Sequence, residues 1–321
     1  MPFELMIQPK GTVMLPPTVE GVNIEWERKG QPGKLVADVV KTPGLSFQEG
    51  DPCRFSVDGT PVFYGFVFDK ARKGSTPNVI TITAYDQLYY LKNKDTYVYE
   101  NKTADAVIRM IADDFQLNVG SLEGTGFTIA SRVEDNKTLF DIIQTALDET
   151  LKATGQMYVL FDDVGKLTLK GLGSMKIDML VDDATAGDYD YKSSISTGTY
   201  DKIKLSYENK DTGKREIYIA QDGANINQWG VLQYFEKVDN AANAKAMADA
   251  LLDLYNTKTR TLRLQNVLGD IRVRGGTLLV VTLGLGDINL SSYLMVEQVK
   301  HTFSNEQHLM DMKMRGGTFV A

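Results

Sequence analysis

The residue types that most often do chemistry are scarce in this chain. It holds two histidines, His301 and His308, and one cysteine, Cys53. No Ser/His/Asp or Cys/His arrangement can be assembled around either histidine, and this set is too small for a zinc site. Cys53 alternates with Phe55 and Val57 on the apolar side of a strand pattern, the place of a buried structural thiol. A lone cysteine also excludes an intrachain disulfide. Adjacent carboxylates occur at Asp113-Asp114, Asp162-Asp163 and Asp182-Asp183. A glycosidase needs two carboxyl groups facing each other across a cleft, and neighbours on a helix or in a turn point apart. These pairs are expected at solvated ends and loops. The run Leu283-Gly284-Leu285-Gly286-Asp287 imitates part of a nucleotide fingerprint, but no helix N-terminus follows it, so a turn is expected. Trp26 and Trp229 could stack on sugars, although core packing is commoner for tryptophan. Met310, Met312 and Met314 have strand spacing and suit a core or an interface. The expectation is no catalytic residue, no cofactor and no metal.

One concentration of charge stands out: Lys258, Arg260, Arg263, Arg272 and Arg274. Alternation places Arg272 and Arg274 on one face of a strand. Two readings stay open, a solvated sheet face or a docking surface for an acidic partner such as a second copy of this chain. The net charge of −7 argues against general binding to phosphate backbones, which relies on clustered cations. No basic leader with an apolar core is visible at the N-terminus, so no signal peptide is expected and synthesis in the cytoplasm is. No run approaches the ~20 apolar residues of a membrane-spanning helix.

The elements that would position these residues are mostly strands. The stretch from Gly50 to Tyr90 organises the first block. It reads as a strand through Cys53, Phe55 and Val57, a hairpin turn at Asp58-Gly59, and a strand over Val62 to Phe68 with apolar residues on both faces. A third strand carries Ile80, Ile82 and Ala84, and Asp86 caps the short helix after it. Pro16-Pro17, Gly30, Pro32-Gly33 and Pro43-Gly44 punctuate the residues before it. About six strands in so short a span suggest a closed barrel or a sandwich. Residues 96–188 change texture into an α+β insert. Asn101-Lys102-Thr103 and Asn136-Lys137-Thr138 each open a helix, and a hairpin turns at Asp162 to Gly165. Strands return from 189 to 321, with a turn at Asp211-Thr212-Gly213 and an amphipathic helix over Ala241 to Asn256. The strands from Gly276 to Met314 follow the same order of features as those from Gly50 to Ile82, which raises the prospect of an internal duplication.

Gly50-Asp51 with Val62-Phe63-Tyr64-Gly65-Phe66-Val67 and Ile82-Thr83-Ala84-Tyr85-Asp86-Gln87-Leu88 resembles the XkdQ/YqbQ type of baseplate hub protein, from contractile phage tails and tail-derived bacteriocins. The likeness continues through 136–170, 192–205, 230–233 and Leu268-Gly269-Asp270. The resemblance implies two tail-tube-like β-barrel domains, 1–95 and 189–321, separated by a small α+β domain at 96–188. It also implies a homotrimer that presents a pseudo-sixfold ring between a sixfold tail tube and a threefold spike. Its implied partners are itself, the tube protein, the central spike and other baseplate and LysM-type tail proteins. A tape-measure protein or DNA would pass through the lumen without specific binding, and no membrane is involved. The location implied is a virion or tail-like particle. Other classes remain open: a carbohydrate-binding or adhesin module, favoured by a loose likeness of Thr96 to Gly120 to half a LysM unit, and a cell-wall hydrolase.

Overall fold

The computed structural model describes residues 2–209, 213–238 and 244–316. The expected turn at 211–213 and the start of the expected helix at 241 lie outside them in part. By contacts the chain forms two units: 1–189 with 263–314, and 190–262 with the C-terminal residues from 315.

The first block of the larger unit is β1 (Phe3–Ile7), β2 (Thr18–Glu27), β3 (Lys34–Val40), β4 (Pro52–Val57), β5 (Thr60–Ala71) and β6 (Val79–Tyr85). Alternation decides what is inside: Leu35, Ala37 and Val39, then Cys53, Phe55 and Val57, then Ile80, Ile82 and Ala84 are all buried. The second apolar face of β5 is covered by aromatic side chains. Phe68 packs at 4.1 Å on Tyr89 and edge-on to Tyr85 at 5.4 Å. The strands run in the sheet order β1-β4-β5-β6-β3-β2.

The insert comprises β7 (Lys94–Thr103), α1 (Ala104–Asp114), β8 (Val119–Leu122), β9 (Thr128–Thr138), α2 (Leu139–Thr154), β10 (Tyr158–Asp162) and β11 (Leu167–Gly171). Its repeated Asn-Lys-Thr triplets share a backbone course, although only Thr138 caps its helix through the side chain, accepting the Asp141 N–H. Asn101 and Asn136 take left-handed φ of 50° and 49°, β7 pairs antiparallel with β9, and Thr103 and Thr138 are the N-caps of α1 and α2. Val107, Ile108 and Ile111 meet Ile142, Ile143 and Ala146 in one core.

The chain continues with β12 (Lys176–Asp182), β13 (Asp188–Ser194), β14 (Lys202–Glu208), β15 (Arg215–Gln221), α3 (Gly223–Trp229), β16 (Gln233–Val238), α4 (Ala244–Tyr255), β17 (Thr259–Leu268), β18 (Leu278–Gly284), β19 (Asn289–Ser304) and β20 (Gln307–Arg315). The smaller unit has its own sheet, β15-β14-β16, whose Ile203, Leu205 and Ala220 pack with Ala248 of α4. The remaining strands lie in the order β12-β18-β19-β20-β17-β13.

That order repeats the first block strand for strand. Taking β12, β13, β17, β18, β19 and β20 as first to sixth, both blocks run first-fourth-fifth-sixth-third-second. The smaller unit is an excursion between the second and third strands of the second copy. The first strand pairs antiparallel with the fourth in the first block and parallel with it in the second, but the bonding where the fourth strand meets the fifth agrees. The Gly50 N–H donates to Val67 O, the Val67 N–H to Asp51 O, and the Asp51 N–H to Gln48 O. Likewise the Gly276 N–H donates to Val296 O, the Val296 N–H to Thr277 O, and the Thr277 N–H to Arg274 O. The Asp51 carboxylate accepts the Gln48 N–H at 2.7 Å, and the Thr277 hydroxyl accepts the Arg274 N–H at 2.9 Å. Gly50 and Gly276 share φ of 91° and 92°, a conformation that only glycine adopts without strain. β12 falls before 189 yet pairs with β18, and 190–262 separates as its own unit.

The two blocks are joined in one sheet. β18 accompanies β19 from Asn289 to Met295, and then β2 takes its place, pairing antiparallel from Gln298 to Phe303. Gly21 lies on this seam at φ 91°, where an added Cβ would stand 1.9 Å from Phe303 O. The obstacle is backbone and cannot swing away. Gly21→Ala is therefore expected to cost about 2 kcal/mol or more, read as a lower urea midpoint; an unchanged midpoint would show that the seam tolerates a side chain there.

Candidate functional site

Polar side chains tie the two strand blocks and the insert together at one junction of the larger unit. Asp86 ends β6 and turns the chain into a 3₁₀ turn at Gln87–Lys92. One carboxylate oxygen accepts the Leu88 N–H at 3.0 Å and the other the Gly33 N–H at 2.8 Å. The cap expected of Asp86 is present, and it also ties β3 to the turn. Gln87 reaches the insert, where its amide donates to Asp162 at 2.8 Å and its carbonyl accepts the Asn118 N–H at 2.9 Å. Asp162 is buried and accepts the Gly165 N–H at 2.6 Å. This corrects the expectation that all three carboxylate pairs are solvated: Asp163 is exposed, but Asp162 turns inward to organise the hairpin.

Arg274 from the second block closes the node. Its guanidinium donates to Asp162 O at 2.9 Å and stacks over Phe161 at 4.5 Å and Trp26 at 5.4 Å. Burial drives the Asp86 pKa well above the carboxylate range, with the Asp162 charge adding to it, while the Gly33 and Leu88 N–H groups and Arg274 oppose. Burial raises Asp162 in the same way, against the Gly165 N–H, Gln87 and Arg274. Trp26 is buried with its ring edge-on to His301 at 5.0 Å, which removes it as a sugar platform.

Behind Arg274 the two histidines form a buried pair. His301 Nε2 lies 2.9 Å from Val273 O, and His301 Nδ1 lies 2.8 Å from His308 Nε2. Only one set of neutral tautomers satisfies both contacts. His301 donates from Nε2 and accepts at Nδ1, and His308 donates from Nε2. His308 Nδ1 then keeps a lone pair with no partner among the described residues. Burial lowers the His301 pKa to about 3 and the His308 pKa to about 4. The ring of His308 explains Gly269, where a Cβ would lie 2.0 Å from His308 Cγ. A bidentate ion pair between Arg28 and Glu297, at 2.8 and 3.0 Å, fastens the end of β2 to β19.

The five basic residues expected to form a surface have separate fates. Residues 271–277 are turns rather than a strand, so Arg272 and Arg274 do not share a strand face. Arg272 is exposed and held by Asp270 at 2.6 Å and Asp178 at 2.8 Å, and Arg274 belongs to the junction. Arg263 is exposed on β17 beside Glu25, Lys300 and Asp311. In the smaller unit Arg260 donates to the Tyr191 hydroxyl at 3.0 Å, and Lys258 is half-buried. Cys53 is fully buried and its thiol is pushed up to about 12, as its apolar register requires. Met310, Met312 and Met314 are core, and Leu285 to Ile288 is the hairpin turn between β18 and β19, closed by the Leu285 N–H on Ile288 O. No cluster of three or more metal-ligating side chains occurs among the described residues, nor does a helix long and apolar enough to cross a membrane. The junction can couple three segments rigidly, and it presents no nucleophile with an adjacent base.

The profile of the YQBQ-like family matches residues 22–315. Among curated proteins, the phage-like element PBSX protein XkdQ of Bacillus subtilis (strain 168) is 33% identical over 312 residues, covering 94% of this chain and 93% of its own. YqbQ of the same strain is 32% identical over 311 residues, covering 94% and 93%. Among solved structures, the 43 kDa tail protein of prophage MuSo2 from Shewanella oneidensis superposes with a TM-score of 0.70. It is 13% identical and covers 97% of this chain and 98% of its own. The E. coli c3393 protein is a component of the type VI secretion system with structural similarity to T4 bacteriophage tail proteins gp27 and gp5. It superposes at 0.58 with 10% identity, covering 99% and 78%. The fold is mainly β and is shared with phage tail proteins.

Proposed function

The chain belongs to the YQBQ-like family, and from that premise we propose that it is the baseplate hub of a contractile tail. Three copies present six alike, tube-like strand blocks, and so join a sixfold tail tube to a threefold spike. The observation that carries this reading is the duplication. A sixfold mouth can be matched by three chains only if each chain offers two alike blocks, and the two here share strand order, Gly50/Gly276 geometry and the backbone bonding around those glycines, differing in the direction of the first strand.

The role is mechanical and non-enzymatic. The seam of β2 on β19, the Arg28–Glu297 pair and the Arg274 junction make the blocks move as one body under the load of sheath contraction. The partners are further copies of the chain, the tube protein and the central spike, with other baseplate and LysM-type tail proteins around them. A net charge of −7 suits a lumen through which DNA or a tape-measure protein passes without adhering. The place of action is the baseplate of a virion or tail-like particle. Arg263, exposed near the seam, is the member of the basic set best placed for a subunit or partner contact.

Sedimentation equilibrium of the purified chain, alone and mixed with its tube and spike proteins, tests the reading. Three times the chain mass is expected in at least one of these samples. A monomer, or an even-numbered assembly, in all of them would contradict it.

A further inference from the structure

The duplication assigns a partner to a strand that the chain itself leaves at the end of its sheet. Within one chain, the second strand of the first block, β2, lies on the far half of the fifth strand of the second block, β19. It does so where the fourth strand stops: Val296 still bonds Gly276 and Thr277, and from Gln298 onward β2 replaces β18. The opposite pairing of the same two roles is the second strand of the second block, β13, with the fifth strand of the first block, β5.

Both halves of that second seam are present. Among the described residues β13 ends the sheet order, with β17 as its one neighbour. In β5, Val67 is the counterpart of Val296 and still bonds Gly50 and Asp51. Beyond it, Asp69 to Ala71 pair with β6 on one side, and among the described residues no strand takes the place that β2 takes on β19. Asp69 and Ala71 are exposed, as are Asp188, Asp190 and Lys192 on β13. An edge of this kind is a template for strand addition.

The charges repeat as well. On the intrachain seam Glu25 of β2 stands opposite Lys300 of β19. In an antiparallel pairing the acidic start of β13 at Asp188 meets the residues that follow β5, the exposed Arg72 and Lys73, an opposite-charge match of the same sense; Lys70 is held within its own chain by Phe47.

We propose that β13 of one copy adds antiparallel to the end of β5, from Asp69 onward, in a second copy, repeating between chains the seam that β2 and β19 make within one. The contact is heterologous, so each copy gives one strand and receives another, and such contacts close into a ring or run on as a filament. This inference rests on the trimeric-hub reading and names the surfaces that close it.

Cysteine pairs test it in a Cys53→Ala background. Ala71→Cys is combined in turn with Asp188→Cys, Asp190→Cys or Lys192→Cys to sample three registers, and each variant is oxidised both as purified chain and in the assembled tail. Asn23→Cys with Thr302→Cys, opposite each other on the intrachain seam, is the positive control for oxidation. The expected result is covalent dimers and trimers on non-reducing gels in at least one register, lost when either cysteine is omitted. A trimer by mass that yields no interchain disulfide in any register, while the control closes, would overturn the strand pairing and leave the hub reading standing. A chain that is monomeric in solution and absent from any ring in the tail would overturn both.

Discussion

Arg274→Glu is expected to be the most damaging single substitution in the larger unit. The guanidinium lies between Phe161 and Trp26, bonds Asp162 O, and is the cation closest in effect to Asp86 and Asp162. Removing one member of such a buried set leaves carboxylates without their counter-charge, at a cost of about 3–5 kcal/mol. Glutamate adds a third like charge on top of that loss. For a unit of this size the thermal midpoint should fall by roughly 6–15 °C. Arg274→Lys keeps the charge but loses the flat stack and the forked donor geometry, so it should fall between wild type and Arg274→Met. Scanning calorimetry of the series checks the order. Shifts within about 0.5 kcal/mol for all three, the usual range for surface sites, would show that the junction does not depend on this residue.

Acid should weaken the fold through the histidine pair. The folded-state values, about 3 for His301 and about 4 for His308, lie below the ordinary value near 6.5 for an unfolded chain. Between those limits the unfolded state binds more protons than the folded state, so stability rises with pH. The contribution is fully present above about pH 6.5 and is lost as pH falls toward the folded values. Each histidine supplies a slope of up to about 1.4 kcal/mol per pH unit. Asp86 and Asp162, both raised by burial, act with the opposite sign and soften the loss. Urea midpoints should therefore drop clearly between pH 7 and pH 5. The double variant His301→Phe/His308→Leu, whatever its stability at pH 7, should show a much shallower drop. Equal slopes in wild type and variant would place the acid sensitivity elsewhere.

The sequence reading succeeded where a short-range rule decides the outcome. Alternation buried Cys53, Phe55 and Val57 and the methionines of β20, and turn chemistry located the Asp58-Gly59 and Leu285–Ile288 hairpins. The Asn-Lys-Thr triplets marked two helix starts because a left-handed asparagine ahead of an extended threonine at the N-cap position is a local device, reinforced by a side-chain cap at Thr138 alone. The duplication was visible only as an order of features, since what the copies share is backbone bonding at Gln48–Asp51 and Arg274–Thr277, with different side chains doing the same work. Asp and Thr both cap the preceding N–H, and no residue identity records it. The seam and the junction depend on pairings some 270 residues apart, such as Arg28 with Glu297. Arg274 read as a surface charge because its neighbours, Trp26, Phe161 and Asp162, come from other blocks. Asp162 read as a solvated turn residue for the same reason. One local signal was available: Gly269 and Gly276 flank the Asp270–Arg274 turns, and glycines that bracket a charged turn mark close backbone approach.

Cryo-electron microscopy of the assembled tail tip, with this chain tagged at its C-terminus, bears most directly on the hub assignment. The account predicts three copies around the axis, with the block of β1 to β6 and the block of β12, β13 and β17 to β20 alternating at one height in a ring of six. The two blocks found at different heights, or one of them turned away from the axis, would contradict it.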